Sequence, residues 1–177
     1  MISLEMSEQM YSRRMSALFS DINVNQLKEH TEILKKRVST TKLNIPSARL
    51  YIKQYSPNEF NSIKLKNYLH KLKETKQFVP DLIIVDYLNI MTTNGSAAGM
   101  KSYERVGAIS KELRSVSIET KLPILSATQS NRGNSGYAGE DISMNNTSDS
   151  SAINMDADAI FALYQLEGER EIRKNKC

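Results

Sequence analysis

The chain has 177 residues and a formal net charge of +4, enough length for one domain that buries a core unaided by disulfides or a structural metal. Its only cysteine is Cys177, and with two histidines, His30 and His70, neither a disulfide framework nor a Cys/His zinc site can be assembled. No apolar run approaches the roughly 20 residues of a membrane helix, and Glu5 and Glu8 rule against a signal peptide, so an intracellular, membrane-free setting is expected.

Ile2 to Leu4 is a short apolar run that predicts a strand, and Ser7 is a natural N-cap for a helix to about Leu18. Leu27, Thr31, Leu34 and Val38 recur at three- and four-residue steps, predicting a second helix that stops before Asn44-Ile45-Pro46. Leu50-Tyr51-Ile52 reads as a strand broken by Pro57-Asn58, and Leu65, Tyr68, Leu69 and Leu72 form the apolar stripe of the next helix. The stretch Lys28 to Lys76 holds 12 basic and 4 acidic residues, while Asp81 to Glu171 holds 7 basic and 13 acidic. The lysines fall mainly between apolar helical positions, so the basic stretch reads first as a solvated helix face and second as a nucleic-acid surface.

Leu82 to Val85 is a β-branched run of the kind buried in parallel sheets, and Asp86 closes it. After a Gly-containing segment, Thr92 to Met100, the positions Val106, Ile109, Leu113 and Val116 predict a helix to about Thr120. Pro123 opens a strand over Ile124 to Ala127. The polar stretch Ser130 to Ser150 is too long for an ordinary connection and is expected to be a functional loop, and Ala159 to Leu163 is expected to be the last strand. Strands alternating with helices predict an α/β fold with a mainly parallel sheet, in one domain over residues 1–177.

Ligands of such sheets gather at the C-terminal ends of the strands. Glu5, Asp86 and Gln129 each follow a strand and are expected at that edge. Nucleotide hydrolysis uses this set of groups: one carboxylate for magnesium or its water, another for the attacking water, and an amide to sense the γ-phosphate. Taken singly, each also fits a turn former or helix cap.

Met6 completes a Ser3-Leu4-Glu5-Met6 segment that resembles the SLEM segment of DnaB-type replicative helicases, and Pro80 to Met91 resembles their Walker B segment. Tyr103 to Arg114 is similar to the helix that follows in that family, Leu122 to Arg132 to its next strand and loop, and Asp149 to Asp158, ending Met155-Asp156-Ala157-Asp158, to the stretch before its DADIV strand. The order and spacing agree as well, and the short form is closest in style to the helicases of tailed phages. The resemblance implies a RecA-like three-layer αβα ATPase core, incomplete at its N-terminal side, that works as a hexameric homo-oligomer. It further implies ATP and Mg2+ as cofactors, translocation on single-stranded DNA with duplex unwinding, primase and a helicase loader as partners, and a bacterial or phage-infected cytoplasm. On this basis Glu5 would polarise the attacking water, Asp86 would bind magnesium through water, and Gln129 would couple the γ-phosphate to the DNA loops. Those loops would be Thr92 to Met100 and Ser130 to Ser150, with Lys101, Asn131 and Arg132 contacting DNA.

Two departures stand against the pattern. No GxxxxGK loop followed by Ser or Thr occurs anywhere, and the chain ends at Cys177 before the family's trans-acting basic segment, so the polypeptide alone is expected to hydrolyse ATP poorly or not at all. Loss of the phosphate-loop strand also predicts open apolar edges near Val85 and Leu125, covered by rearrangement or by a second copy. A different RecA-like ATPase of recombinase or clock type, and a non-catalytic binding module, are the alternative readings.

Overall fold

The computed structural model describes residues 1–96, 98–128, 153 and 155–161. Among the described residues four strands, β1 (Ile2–Ser3), β2 (Lys53–Gln54), β3 (Ile83–Asp86) and β4 (Ile124–Ser126), form a parallel sheet in the order β2-β1-β3-β4. Four helices, α1 (Glu8–Ser20), α2 (Thr31–Asn44), α3 (Ser62–Lys76) and α4 (Ser102–Thr120), connect them, and a 3₁₀ turn, Leu88–Ile90, follows β3. Every strand is separated from the next by helix, as parallel pairing requires.

The helix ends follow local chemistry. Ser7 is extended and its Oγ accepts the Met10 N–H at 3.2 Å, which satisfies one of the donors left free at the start of α1. Asn61 does the same for α3, its Oδ1 accepting from Lys64 N–H at 2.9 Å. Glu104 reaches back from the first turn of α4 to accept the Lys101 N–H at 2.9 Å. Helices α1, α3 and α4 each stop at a residue in the left-handed region, Asp21, Gln77 and Lys121.

Residues two apart in a strand share a face, and the sheet face carrying Ile2, Leu4, Ile83 and Val85 is sealed by Phe60, Leu65, Val106, Ile109, Leu113 and Val116. The three- and four-residue steps along α4 are what put its four apolar residues on one stripe. In β3 only Ile83 and Val85 are fully buried, Ile84 being half-buried, so the run is an alternating strand rather than one buried equally on both faces. No residue of α2 is buried; the helix lies against α1, where Arg37 donates to the carbonyl of Ser20. Its lysines are the solvated face expected of the basic stretch.

Three expectations need correction. The strand placed at Leu50 to Ile52 lies three residues later, because Lys53 N–H donates to Met1 O and Tyr55 N–H to Ser3 O, at 2.9 and 3.0 Å. Backbone partners on β1, not apolar side chains, decide that register, and Leu50 is left 50% exposed. The open edge expected at Val85 is absent: Val85 pairs with Ile2 on one side and Ser126 on the other. Only β4 and β2 are outermost among the described residues, with Leu125 51% exposed on β4. On β2 the outward N–H of Gln54 donates to Glu8 Oε1 at 3.0 Å, with Lys53 Nζ 3.4 Å from the same oxygen. The expected final strand is not formed over Ala159, Ile160 and Phe161, and the rest of that segment lies outside the described residues.

Candidate functional site

Glu5 and Asp86 are brought together. Ser3 lies opposite Asp86 in the parallel register, and Leu4 N–H donates to Asp86 O at 2.9 Å, so Glu5 emerges directly beside the end of β3. The position follows from the sequence locally: the apolar alternation of Ile2 and Leu4 buries the strand, and the first polar residue after it is released at the edge. Glu5 is exposed and Asp86 half-buried.

By the alternation of the strand, Asp86 lies on the face opposite the α3 and α4 core, the face met by α1. From α1, Tyr11 donates its phenolic hydrogen to Asp86 Oδ2. Burial, this hydrogen bond and the charge of Asp86 push the Tyr11 phenol well above its ordinary range; the nearby Arg14 opposes the shift and the charge of Glu5 adds to it. Glu5, Tyr11, Arg14 and Asp86 therefore share one electrostatic neighbourhood at the C-terminal edge of adjacent strands. Sequence reasoning does not single out Tyr11; a hydroxylated aromatic one turn after the N-cap, on the inward side of a strand-following helix, is the signal that points to it.

Chemically the cluster is an all-oxygen donor set, with one carboxylate partly occupied by a phenol and another open to water. Hard cations prefer such donors. No group of three or more His, Cys, Asp or Glu residues able to hold a metal occurs among the described residues. Hard cations that keep most of their water ask a protein for no more than one or two such carboxylates.

The remaining expected residues divide. Gln129, Asn131 and Arg132 lie outside the described residues, the run after β4 being described as far as Thr128, two residues past the strand's end. Lys101 is exposed at the junction of the Thr92–Met100 loop and α4, its Nζ 5.9 Å from the Tyr103 ring centroid. The Met155 to Asp158 segment meets α4: Arg114 donates to Asp156 O at 2.6 Å and to Asp158 Oδ1 at 3.0 Å.

The chain is 29% identical over 170 residues to a DnaB-like replicative helicase of Enterobacteria phage T4, covering 94% of this chain and 35% of that protein. It is 27% identical over 169 residues to a replicative DNA helicase DnaB of Helicobacter pylori, covering 92% of this chain and 33% of the relative. The chain thus spans about a third of the length of these curated relatives. Among solved structures, one described as an ATPase domain superposes with a TM-score of 0.69 at 18% identity, covering 93% of this chain and 59% of that one. A structure of a DnaB-like replicative helicase and its interactions with primase superposes with a TM-score of 0.70 at 16% identity, covering 89% and 38%. Both likenesses establish the RecA-like α/β fold. Residues 1–176 match the DnaB-like helicase C-terminal domain family, and the chain belongs to it.

Proposed function

We propose that this chain is part of the ATPase motor of a replicative helicase, a partial RecA-like domain over residues 1–177 that couples ATP hydrolysis to movement along single-stranded DNA and duplex unwinding. The observation that carries the reading is the juxtaposition of Glu5 and Asp86 at the ends of neighbouring parallel strands. Glu5, exposed, would orient and polarise the attacking water, and Asp86, steadied by Tyr11, would be the carboxylate that holds Mg2+. The ion supplies charge neutralisation at the phosphates when bound. Gln129, just past β4, senses the γ-phosphate and relays its presence to the loops that meet DNA. Lys101, Asn131 and Arg132 contact phosphates, a sequence-independent task suited to a translocating motor.

The named relatives support this reading, since each is described as a replicative helicase. The same family membership supports a hexameric ring of copies, with primase and a loader as further partners in a bacterial or phage-infected cytoplasm; one fold neighbour is described by its interactions with primase. The 177 residues contain no GxxxxGK loop to cradle phosphates. The polypeptide of these residues alone therefore turns over little or no ATP.

The test places residues 1–177 in a chimera, replacing the matching segment of a full-length DnaB-like relative that supplies the phosphate loop. The chimera should show magnesium- and DNA-stimulated ATP turnover. Glu5→Gln should cut kcat by about 10²- to 10⁴-fold with the fold intact. Unchanged turnover in that variant would remove Glu5 from its role, and a folded chimera with no turnover at all would favour a non-catalytic binding module.

A further inference from the structure

The loop after β3 is fastened at both ends by carboxylates of a single helix. At its upstream end Asn94 N–H donates to Glu112 Oε1 at 2.9 Å, Asn94 Nδ2 donates to Ser62 Oγ at 2.7 Å, and Ser62 Oγ donates to Glu112 Oε2 at 3.0 Å. These three bonds close a ring that joins the loop, the first residue of α3 and the middle of α4. Thr92 N–H donating to Phe60 O and Asn58 N–H donating to Ile90 O, both at 2.8 Å, lace the same junction. At the downstream end Glu104 Oε2 accepts from Lys101 N–H at 2.9 Å. Among the described residues the loop's own hydrogen bonds are short-range, Thr93 Oγ1 to Gly95 O at 3.0 Å and Ala98 N–H to Ser96 Oγ at 3.3 Å.

Ser62 is 2% exposed, and the carboxylate that accepts its hydroxyl uses both oxygens in this ring. Bonds to an ionised acceptor are about twice as strong as neutral ones. The packing of α4 has no need of them: Val106, Ile109, Leu113 and Val116 bury its apolar stripe without Glu112. The carboxylate thus serves the loop.

We propose that Glu112 is a positioning residue for nucleic-acid contact, fixing where the Gly95–Met100 tip leaves the body of the domain and so where Lys101 is presented to a phosphodiester backbone. This rests on the reading of that loop as a DNA contact and adds to it the group that pre-organises it, since a contact held in place loses less entropy on binding.

The test is fluorescence anisotropy of labelled oligothymidylate titrated with the 177-residue chain at low salt, alongside a thermal melt of each variant. Glu112→Ala should weaken binding by roughly five- to tenfold. Glu112→Gln keeps an acceptor for Asn94 N–H and a donor for Ser62 Oγ, and should stay within about twofold of the wild type. Asn94→Ala, at an exposed loop residue, should weaken binding by roughly two- to threefold through loss of its side-chain bond to Ser62, which preserves the test should Glu112→Ala unfold. Lys101→Ala should weaken binding and reduce its salt dependence by about one ion. If Lys101→Ala weakens binding while Glu112→Ala and Asn94→Ala bind as the wild type and only melt earlier, Glu112 is structural and the proposal falls. If Lys101→Ala also binds as the wild type, the loop is no DNA contact, and both readings fall together.

Discussion

Phe60 is the residue on which the core and the loop junction both depend, and Phe60→Ala is the sharpest test of the packing described above. Its side chain is 0% exposed and its ring lies 4.6 Å from that of Tyr55. A buried aromatic removes about 150–250 Å² from water, which at about 25 cal/mol per Å² corresponds to roughly 4–6 kcal/mol. Alanine keeps part of that burial and the site partly collapses, so a loss of about 3–5 kcal/mol is expected. That is a large share of the roughly 5–15 kcal/mol by which a domain is stable. In a urea titration followed by far-UV circular dichroism, a slope near 2 kcal/mol/M turns this loss into a midpoint lower by about 2 M. Tyr55→Ala and the double variant complete a cycle in which the ring pair should contribute about 0.5–1.5 kcal/mol of coupling. A midpoint lowered by less than about 0.5 M would mean that Phe60 is not packed as described, and the account of the core would be wrong.

Two smaller perturbations probe the edge of the sheet. The Gln54 N–H beside Glu8 holds its carboxyl below the ordinary carboxylate value, with Lys53 helping. A lowered native pKa adds stability that is fully present above the unfolded value near 4.5 and is lost as pH falls through the native one, so Glu8→Gln should be modestly less stable than the wild type at pH 7, with the difference vanishing as pH falls below about 4.5. An identical acid limb in the variant would contradict the contact. Ser7→Ala should cost about 1 kcal/mol through loss of the cap on α1, while Ser7→Asp should cost little; equal melting of the two variants would show that the Met10 N–H needs no partner.

The parts of the site readable in advance are those whose cause is local. Asp86 is legible because a β-branched run ends at it, and Glu5 because Ile2, Ser3 and Leu4 are buried in turn and make it the first released side chain. Strand β2 is misplaced by side-chain pattern because its register is dictated by the carbonyls of Met1 and Ser3, a pairing about fifty residues away that leaves no mark on that pattern. Tyr11 and Glu112 escape notice for the same reason: their partners, Asp86, Asn94 and Ser62, are 75, 18 and 50 residues distant. Residues that bind the backbone or each other across such separations have no periodicity to betray them.

The carboxylate over β2 also bears on how copies of this chain behave in concentrated solution. Outermost strands invite strangers, since a bare amide there can recruit another chain's carbonyl and start a growing stack. Here the available donor is already taken, and an intruding peptide would have to expel a charged group and part it from a lysine before forming its first bond. That border of the molecule resists strand addition at this donor, whereas along β4, at the other border among the described residues, no carboxylate is set over the strand in this way.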